Sequence, residues 1–228
     1  MARPRKGAVC AICGKEPATT LDHIPPKGIF PAPRPNDSIT VPACFRCNNR
    51  GSKLDEPFRV YLSLHIGTET PESERLWKKH ALRTLRHNRK MRNQLLGSMR
   101  LAELRTPGGI ILGKRPVGRW NSKAHDETIE RMIRGLYFHH FGEVLGDKVL
   151  VRVQWLRAMN NRLLEVSEEW QSSSVGADAF IYRYGKAEDA PLHSVWLFQF
   201  YKRHWASGYT TPVEDSEDST RHGRDARA

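Results

Sequence analysis

Four cysteines carry the first chemical signal. Cys10 and Cys13 form one Cys-x-x-Cys, Cys44 and Cys47 form a second, and none is left over. Two intervening residues let both thiolates of a tight turn face one ion. Two such turns complete a tetrahedral, all-sulfur site whose usual occupant is zinc. Disulfides are disfavoured in a cytosolic chain, and a redox pair would need only one motif in a thioredoxin-like setting. A closed site of four thiolates has no open coordination position. Its work is structural: it replaces a hydrophobic core in a small, proline-rich segment whose folding then depends on metal. Any catalysis falls to what the zinc holds in place.

The segment between the two pairs is the place to look. Thr19, Thr20 and Leu21 read as a short strand ending at Asp22-His23. Prolines at 25, 26, 31, 33 and 35 forbid a helix and make a stiff, extended loop. Ser38 to Val41 is β-favouring and short enough to pair back on the first strand. Cys44 to Arg50 then reads as a turn entering a helix. The expected order is strand, loop, strand, helix, clipped at its base by zinc. Adjacent strand residues point to opposite sides, so bringing Asp22 and His23 to one site requires a bend, which Ile24-Pro25-Pro26 favours.

In order along the chain, the paired cysteines, Asp22-His23-Ile24-Pro25-Pro26, and Cys44-x-x-Cys47-Asn48-Asn49-Arg50 resemble the zinc-bound HNH endonucleases of the ββα-metal (His-Me finger) group. The likeness covers residues 10–53, under a quarter of the chain, and its strength is the agreement of three signals in sequence. It implies that His23 is the general base and that Asp22 binds a catalytic ion. Asn48, directly after the cysteine, would supply the second protein ligand by its amide oxygen, with Asn49 as the alternate. It also implies an asparagine near the second strand that orients the histidine. Here Asn36 stands a few residues early, leaving Asp37, Ser38 or the backbone for that task. The implied chemistry is sound. Phosphodiester hydrolysis needs an activated water, which a neutral imidazole provides near its own pKa. It also needs charge neutralisation and leaving-group help, which one divalent ion gives. Oxygen ligands from Asp and Asn suit Mg²⁺ or Mn²⁺.

Charge supports a polyanionic partner. Of 37 Lys+Arg and 25 Asp+Glu, residues 1–110 hold 20 basic and 9 acidic, whereas 111–228 hold 17 and 16. Such asymmetry points to nucleic acid. Thr70-Pro71-Glu72 is a good helix start, and the pattern stays helical to about Leu104, with Gly97 as a break. That stretch carries Lys78, Lys79, Arg83, Arg86, Arg89 and Lys90, with Leu82, Leu85, Met91 and Leu95 as a narrow apolar stripe. A helix of this kind lies along phosphates without reading bases.

Thr106-Pro107-Gly108-Gly109 is a turn where the charge balance changes. Beyond it, Ile110 to Leu112 suggests a short strand and Asp126 to about Leu145 an amphipathic helix. Strands follow at Val149–Trp155, Phe180–Tyr184 and Trp196–Phe200, the last two joined by a hairpin loop over 185–193. Their aromatic residues are expected in the core rather than on a base-stacking platform. His139-His140 and Trp205 suggest no role.

The expected class is therefore α+β: a zinc-clipped ββα-metal module over 1–60, a basic helical segment over 61–106, a mixed α+β domain over 107–212, and a disordered tail over 213–228 with almost no apolar content. No apolar run approaches the roughly 20 residues of a membrane span, and the short, cysteine-containing apolar start is not a signal peptide. A cytoplasmic protein with no membrane partner is expected. The function expected is metal-dependent cleavage of nucleic acid, DNA first and RNA as the other substrate, with the C-terminal half free for dimerisation or a protein partner. The rival is a zinc module that binds nucleic acid or protein without cutting.

Overall fold

Thr20–Ile24 forms strand β1, and Ile39–Ala43 forms β2 antiparallel to it, with Asp22 opposite Val41 and His23 opposite Thr40. The computed structural model describes residues 3–64, 71–106, 108–119, 122–156, 159–177 and 179–213. The prolines between the strands leave only a single 3-10 turn, Lys27–Ile29. After β2, Cys44 caps helix α1 (Phe45–Ser63): its sulfur accepts a hydrogen bond from the Cys47 amide at 3.4 Å. Strand, loop, strand, helix thus appear in the expected order.

The bend expected at Asp22-His23 does not form. β1 stays regular through Ile24, and the chain breaks only afterwards, at the cis Ile24–Pro25 bond. No bend separates Asp22 from His23. Asp22 turns inward with Ile24, and His23 falls on the half-exposed face with Leu21.

The basic segment is helical but shorter and more broken than its pattern suggests. α2 (Pro71–Leu76) runs through a π-helical turn, Trp77–Ala81, into α3 (Leu82–His87). Asn88 then interrupts the path and caps α4 (Arg89–Ser98), accepting from the Met91 amide at 3.0 Å. The helix does not reach Leu104. Met99 is extended, and Arg100–Arg105 is strand β3, paired antiparallel with β4 (Ile111–Val117). Cross-strand pairing wins over the helical periodicity here, because the two strands close on each other as a hairpin. The Thr106 amide donates to the Ile110 carbonyl at 2.9 Å, and Gly109 takes φ +87°. The strand read as Ile110 to Leu112 runs on to Val117.

α5 (Ser122–Phe141) starts and ends about a turn before the span read from sequence, which ran to Leu145. Gly142 at φ +69° closes it, its amide donating to the Phe138 carbonyl at 2.9 Å. Strand β5 (Val149–Leu156), helix α6 (Asn161–Glu168) and strands β6 (Gln171–Val175), β7 (Phe180–Lys186), β8 (Ser194–Phe200) and β9 (His204–Pro212) follow. The five strands make one antiparallel sheet in the order β5-β9-β8-β7-β6. β6 and β9 were not legible: serines fill β6, and β9 has no clean alternation. The chain is α+β in class. The tail beyond residue 213 lies outside the described residues. Among the described residues, no helix is long and apolar enough to cross a membrane.

One buried cluster joins the two ends of the chain. It includes Ile24, Val41 and Phe58 from β1, β2 and α1, and Ile129, Met132 and Leu136 from α5. Tyr182, Trp196 and Phe198 of the sheet continue it, so these aromatics are core. α5 lies across β1 so closely that a Cβ on Gly135 would come within 2.8 Å of the Ile24 side chain. Asp37 accepts from the Gly176 amide at 3.0 Å, and Tyr201 Oη donates to the Ile29 carbonyl, tying the proline-rich loop to the sheet. A second small cluster (Val60, Ala81, Leu85, Leu95) seats the basic helices on α1.

Candidate functional site

The four cysteine sulfurs lie within 4.8 Å of one another. Tetrahedral Zn–S bonds of about 2.3 Å would place them roughly 3.8 Å apart, so the cluster fits an ion. Local backbone chemistry builds it. The Cys10 amide donates to the Glu16 carbonyl at 2.9 Å, and the Gly14 amide returns to the Cys10 carbonyl at 2.8 Å, closing the first turn. Gly14, at φ +67°, permits that reversal. The Ala11 amide donates to the Pro42 carbonyl at 2.8 Å and docks the turn on β2. Burial pushes the Cys44 thiol up to about 11 and Cys47 further. Cys13 is also raised by burial, but hydrogen bonds from the Lys15 and Glu16 backbone outweigh this and bring it down to about 7. Four thiols this close cannot all ionise without a cation among them. A zinc ion would supply that charge and lock the two turns together.

The cluster stands at the N-terminus of α1 and so fixes where that helix meets β1. Asn48, one residue past Cys47, donates its amide nitrogen to Thr20 Oγ1 at 3.0 Å and to the Leu21 carbonyl at 3.3 Å. Its amide oxygen has no hydrogen bond among the described residues. Asn48 therefore abuts β1 immediately before Asp22-His23. Asn49 is exposed.

Asp22 is 5% exposed, and its Oδ2 has no hydrogen-bond partner among the described residues. Arg131 of α5 stands 3.6 Å from it through Nε and also bonds Asp55 of α1. Burial raises the Asp22 pKa, and the Arg131 charge opposes the rise. Asp55 is pushed up to about 6, first by burial, which the Arg131 charge counters and the neighbouring Asp22 reinforces. Arg131 is itself 5% exposed, and its Nε and Nη1 lack hydrogen bonds among the described residues. Gly51 on α1 leaves room for this guanidinium; a methyl group there would overlap it. Sequence reading missed Asp55 and Arg131. The signal for Asp55 was available: seven residues past Asn48 is two helical turns, which places both on one face of α1. Arg131 was hidden, because nothing local marks an arginine on α5 as the partner of β1.

These carboxyls set a pH dependence of stability. Between about pH 4 and 6 the folded chain holds a proton on Asp55 that the unfolded chain has released. Stability therefore falls as pH rises through that window, by up to about 3 kcal/mol from this group. Asp55→Asn should flatten the slope, with Asp22 supplying what remains. Urea unfolding at stepped pH reads this directly, and an unchanged slope would contradict it.

His23 is half-buried. Burial lowers its pKa first, and the Lys27 and Arg34 charges lower it further against the opposing pull of Asp22. The ring is therefore neutral at neutral pH, the form a general base needs. No hydrogen bond to the ring occurs among the described residues. Asp37 is spent on Gly176, and Ser38 donates to the Pro35 carbonyl at 3.2 Å, so neither orients it. Arg59 of α1 bonds Thr84 of α3 at 2.8 Å, and together with Arg34 it lowers the pKa of His80, after burial. A cationic neighbourhood thus adjoins His23. Lys78, Lys79, Arg83, Arg86, Arg89 and Lys90 are all exposed, while Ala81, Leu85 and Leu95 point inward. A cleft of about 320 Å³ lies against Cys13, Cys47 and Arg131; it does not include Asp22, His23 or Asn48.

Comparison with protein-family models, with curated proteins and with solved structures finds no match.

Proposed function

We propose that the chain is a metal-dependent endonuclease of the HNH type, hydrolysing phosphodiester bonds of nucleic acid, with DNA as the first substrate. One observation carries this reading: the cysteine-clipped start of α1 sets Asn48 on β1 at Thr20 and Leu21, next to Asp22 and the neutral His23. Asn48 thus meets the strand that carries Asp22 on one face and His23 on the other.

In this mechanism His23 accepts a proton from water at its unprotonated ring nitrogen. The water oxygen bonds to phosphorus as the bond to the 3′-oxygen breaks. Lys27 and Arg34 draw the phosphate toward the ring. The Asp22 carboxylate, with its orphaned Oδ2, and the free Asn48 amide oxygen would hold Mg²⁺ or Mn²⁺, which when bound neutralises phosphoryl charge and helps the leaving oxygen. Without the ion, Arg131 balances the Asp22 charge; with it, the guanidinium would turn to Asp55. The exposed cations of α2 to α4 grip the backbone without sequence preference.

The test is cleavage of supercoiled plasmid, linear duplex, single strand and RNA by zinc-loaded protein, with Mg²⁺ or Mn²⁺ at fixed salt. Divalent-dependent nicking of DNA is expected. Failure on every substrate with either ion would overturn the enzyme reading.

The buried Asp22–Arg131–Asp55 arrangement favours one rival. A chain that binds without cutting would use Asp22 only as a structural ion-pair partner. Under that reading His23→Ala leaves nucleic-acid binding and all other properties unchanged.

A further inference from the structure

The β3–β4 ribbon is unlike the rest of the fold. Among the described residues its two strands pair with each other and with no other strand, and they pack extensively on nothing else. At about 3.3 Å per residue, it is roughly 20 Å long. Leu101, Ile110 and Leu112 are 71%, 67% and 60% exposed. An isolated two-stranded hairpin is at best marginally stable in water, and apolar residues of this size are normally covered. The ribbon is built to meet something.

Charge decides what. Residues 100–119 carry Arg100, Arg105, Lys114, Arg115 and Arg119 against the single acid Glu103. A second copy laid strand to strand would bring like charges together. A DNA duplex suits both features at once. Phosphates take the cations, a groove admits a two-stranded ribbon, and apolar side chains wedge against base steps where a duplex is bent. The root of the ribbon is also placed for it. Ser98, at the end of α4, accepts from the Arg119 amide at 3.0 Å and donates to the Leu95 carbonyl at 2.8 Å. The ribbon therefore springs from the helix that carries the exposed Arg89 and Lys90.

We propose that β3–β4 is a duplex-DNA arm, its cations on the phosphates and its apolar tip against base pairs in a groove. This rests on the nucleic-acid half of the proposed function and not on cleavage. The experiment uses the full, zinc-loaded chain carrying His23→Ala, so that DNA is not cut, and a short fluorescent duplex. Arg100→Ala, Lys114→Ala and Arg119→Ala together should weaken duplex binding roughly tenfold or more. They should also lower the slope of log K against log salt by about 2 to 3. Ile110→Ser with Leu112→Ser should leave the salt slope alone but reduce affinity and the bend measured by end-to-end energy transfer. Zinc content and far-UV circular dichroism check that both variants fold.

Unchanged duplex affinity in both variants would overturn the proposal. So would equal losses on a single strand of the same sequence, or on duplex RNA. So would an arm-dependent dimer in sedimentation, which would make a second copy the occupant. Loss of duplex binding in a protein that never cuts DNA would leave the arm standing and remove only the hydrolysis reading.

Discussion

Replacing His23 with alanine is expected to lower nicking by roughly 10²- to 10⁴-fold, the range a positioned general base contributes. Zinc content and unfolding midpoint should stay close to wild type, because the His23 side chain is half-buried and its ring makes no hydrogen bond among the described residues. The pH profile sharpens the test. Burial and the Lys27 and Arg34 charges lower the histidine pKa, so the base form is already present somewhat below the ordinary histidine range. Activity should rise with pH on a limb that lies below about 6.5 and should then plateau. Removing a neighbouring charge with Lys27→Gln should move that limb upward. A profile that ignores Lys27→Gln would assign the limb to another group.

The second large effect concerns zinc. Cys10→Ser, or a chelator strong enough to strip the ion, should unfold more than the cysteine turns. Cys10 and Cys44 are buried together with Ala43, and Ala11 beside them belongs to the main core with Ile24 and Tyr137. Structural zinc contributes on the order of 10–16 kcal/mol in isolated modules, comparable to the whole stability of a domain at about 5–15 kcal/mol. Loss of the ion should therefore abolish cooperative unfolding of the N-terminal part and activity together, both returning with added Zn²⁺. Retention of a sharp transition after zinc removal would show that the cysteines are not a structural centre. A milder counterpart is Gly51→Ala, whose new methyl would collide with Arg131. It should cost about 1–3 kcal/mol and loosen the Asp22–Arg131–Asp55 arrangement without releasing zinc. Thermal unfolding with a zinc assay checks both.

Local chemistry made the cysteine cluster and the order of β1, β2 and α1 readable. Two short cysteine turns, a proline-rich loop and a helix start all declare themselves within a few residues. The apolar faces of α5, β5, β7 and β8 were readable for the same reason. What failed depended on distant partners. Arg100–Arg105 looks helical until Ile111–Val117 is there to pair with it. β6, with its three serines, is a strand only because β7 lies beside it. The Asp22–Asp55–Arg131 arrangement joins three elements across more than a hundred residues, and periodicity cannot report such a contact. The regular backbone at Asp22 and His23 has the same origin: full pairing of β1 with β2 outweighs the break that the prolines favour.

The proposed hydrolysis requires Asp22 and Asn48 to hold one divalent ion on the strand that carries His23. The most direct measurement is a crystal structure of the zinc-loaded chain soaked in Mn²⁺ at a concentration that supports cleavage, with anomalous scattering recorded for manganese. A manganese peak bonded to the Asp22 carboxylate and the Asn48 amide oxygen is expected, with Arg131 turned to Asp55 alone. A map with no such peak, in which the Arg131 guanidinium still faces Asp22, would contradict it.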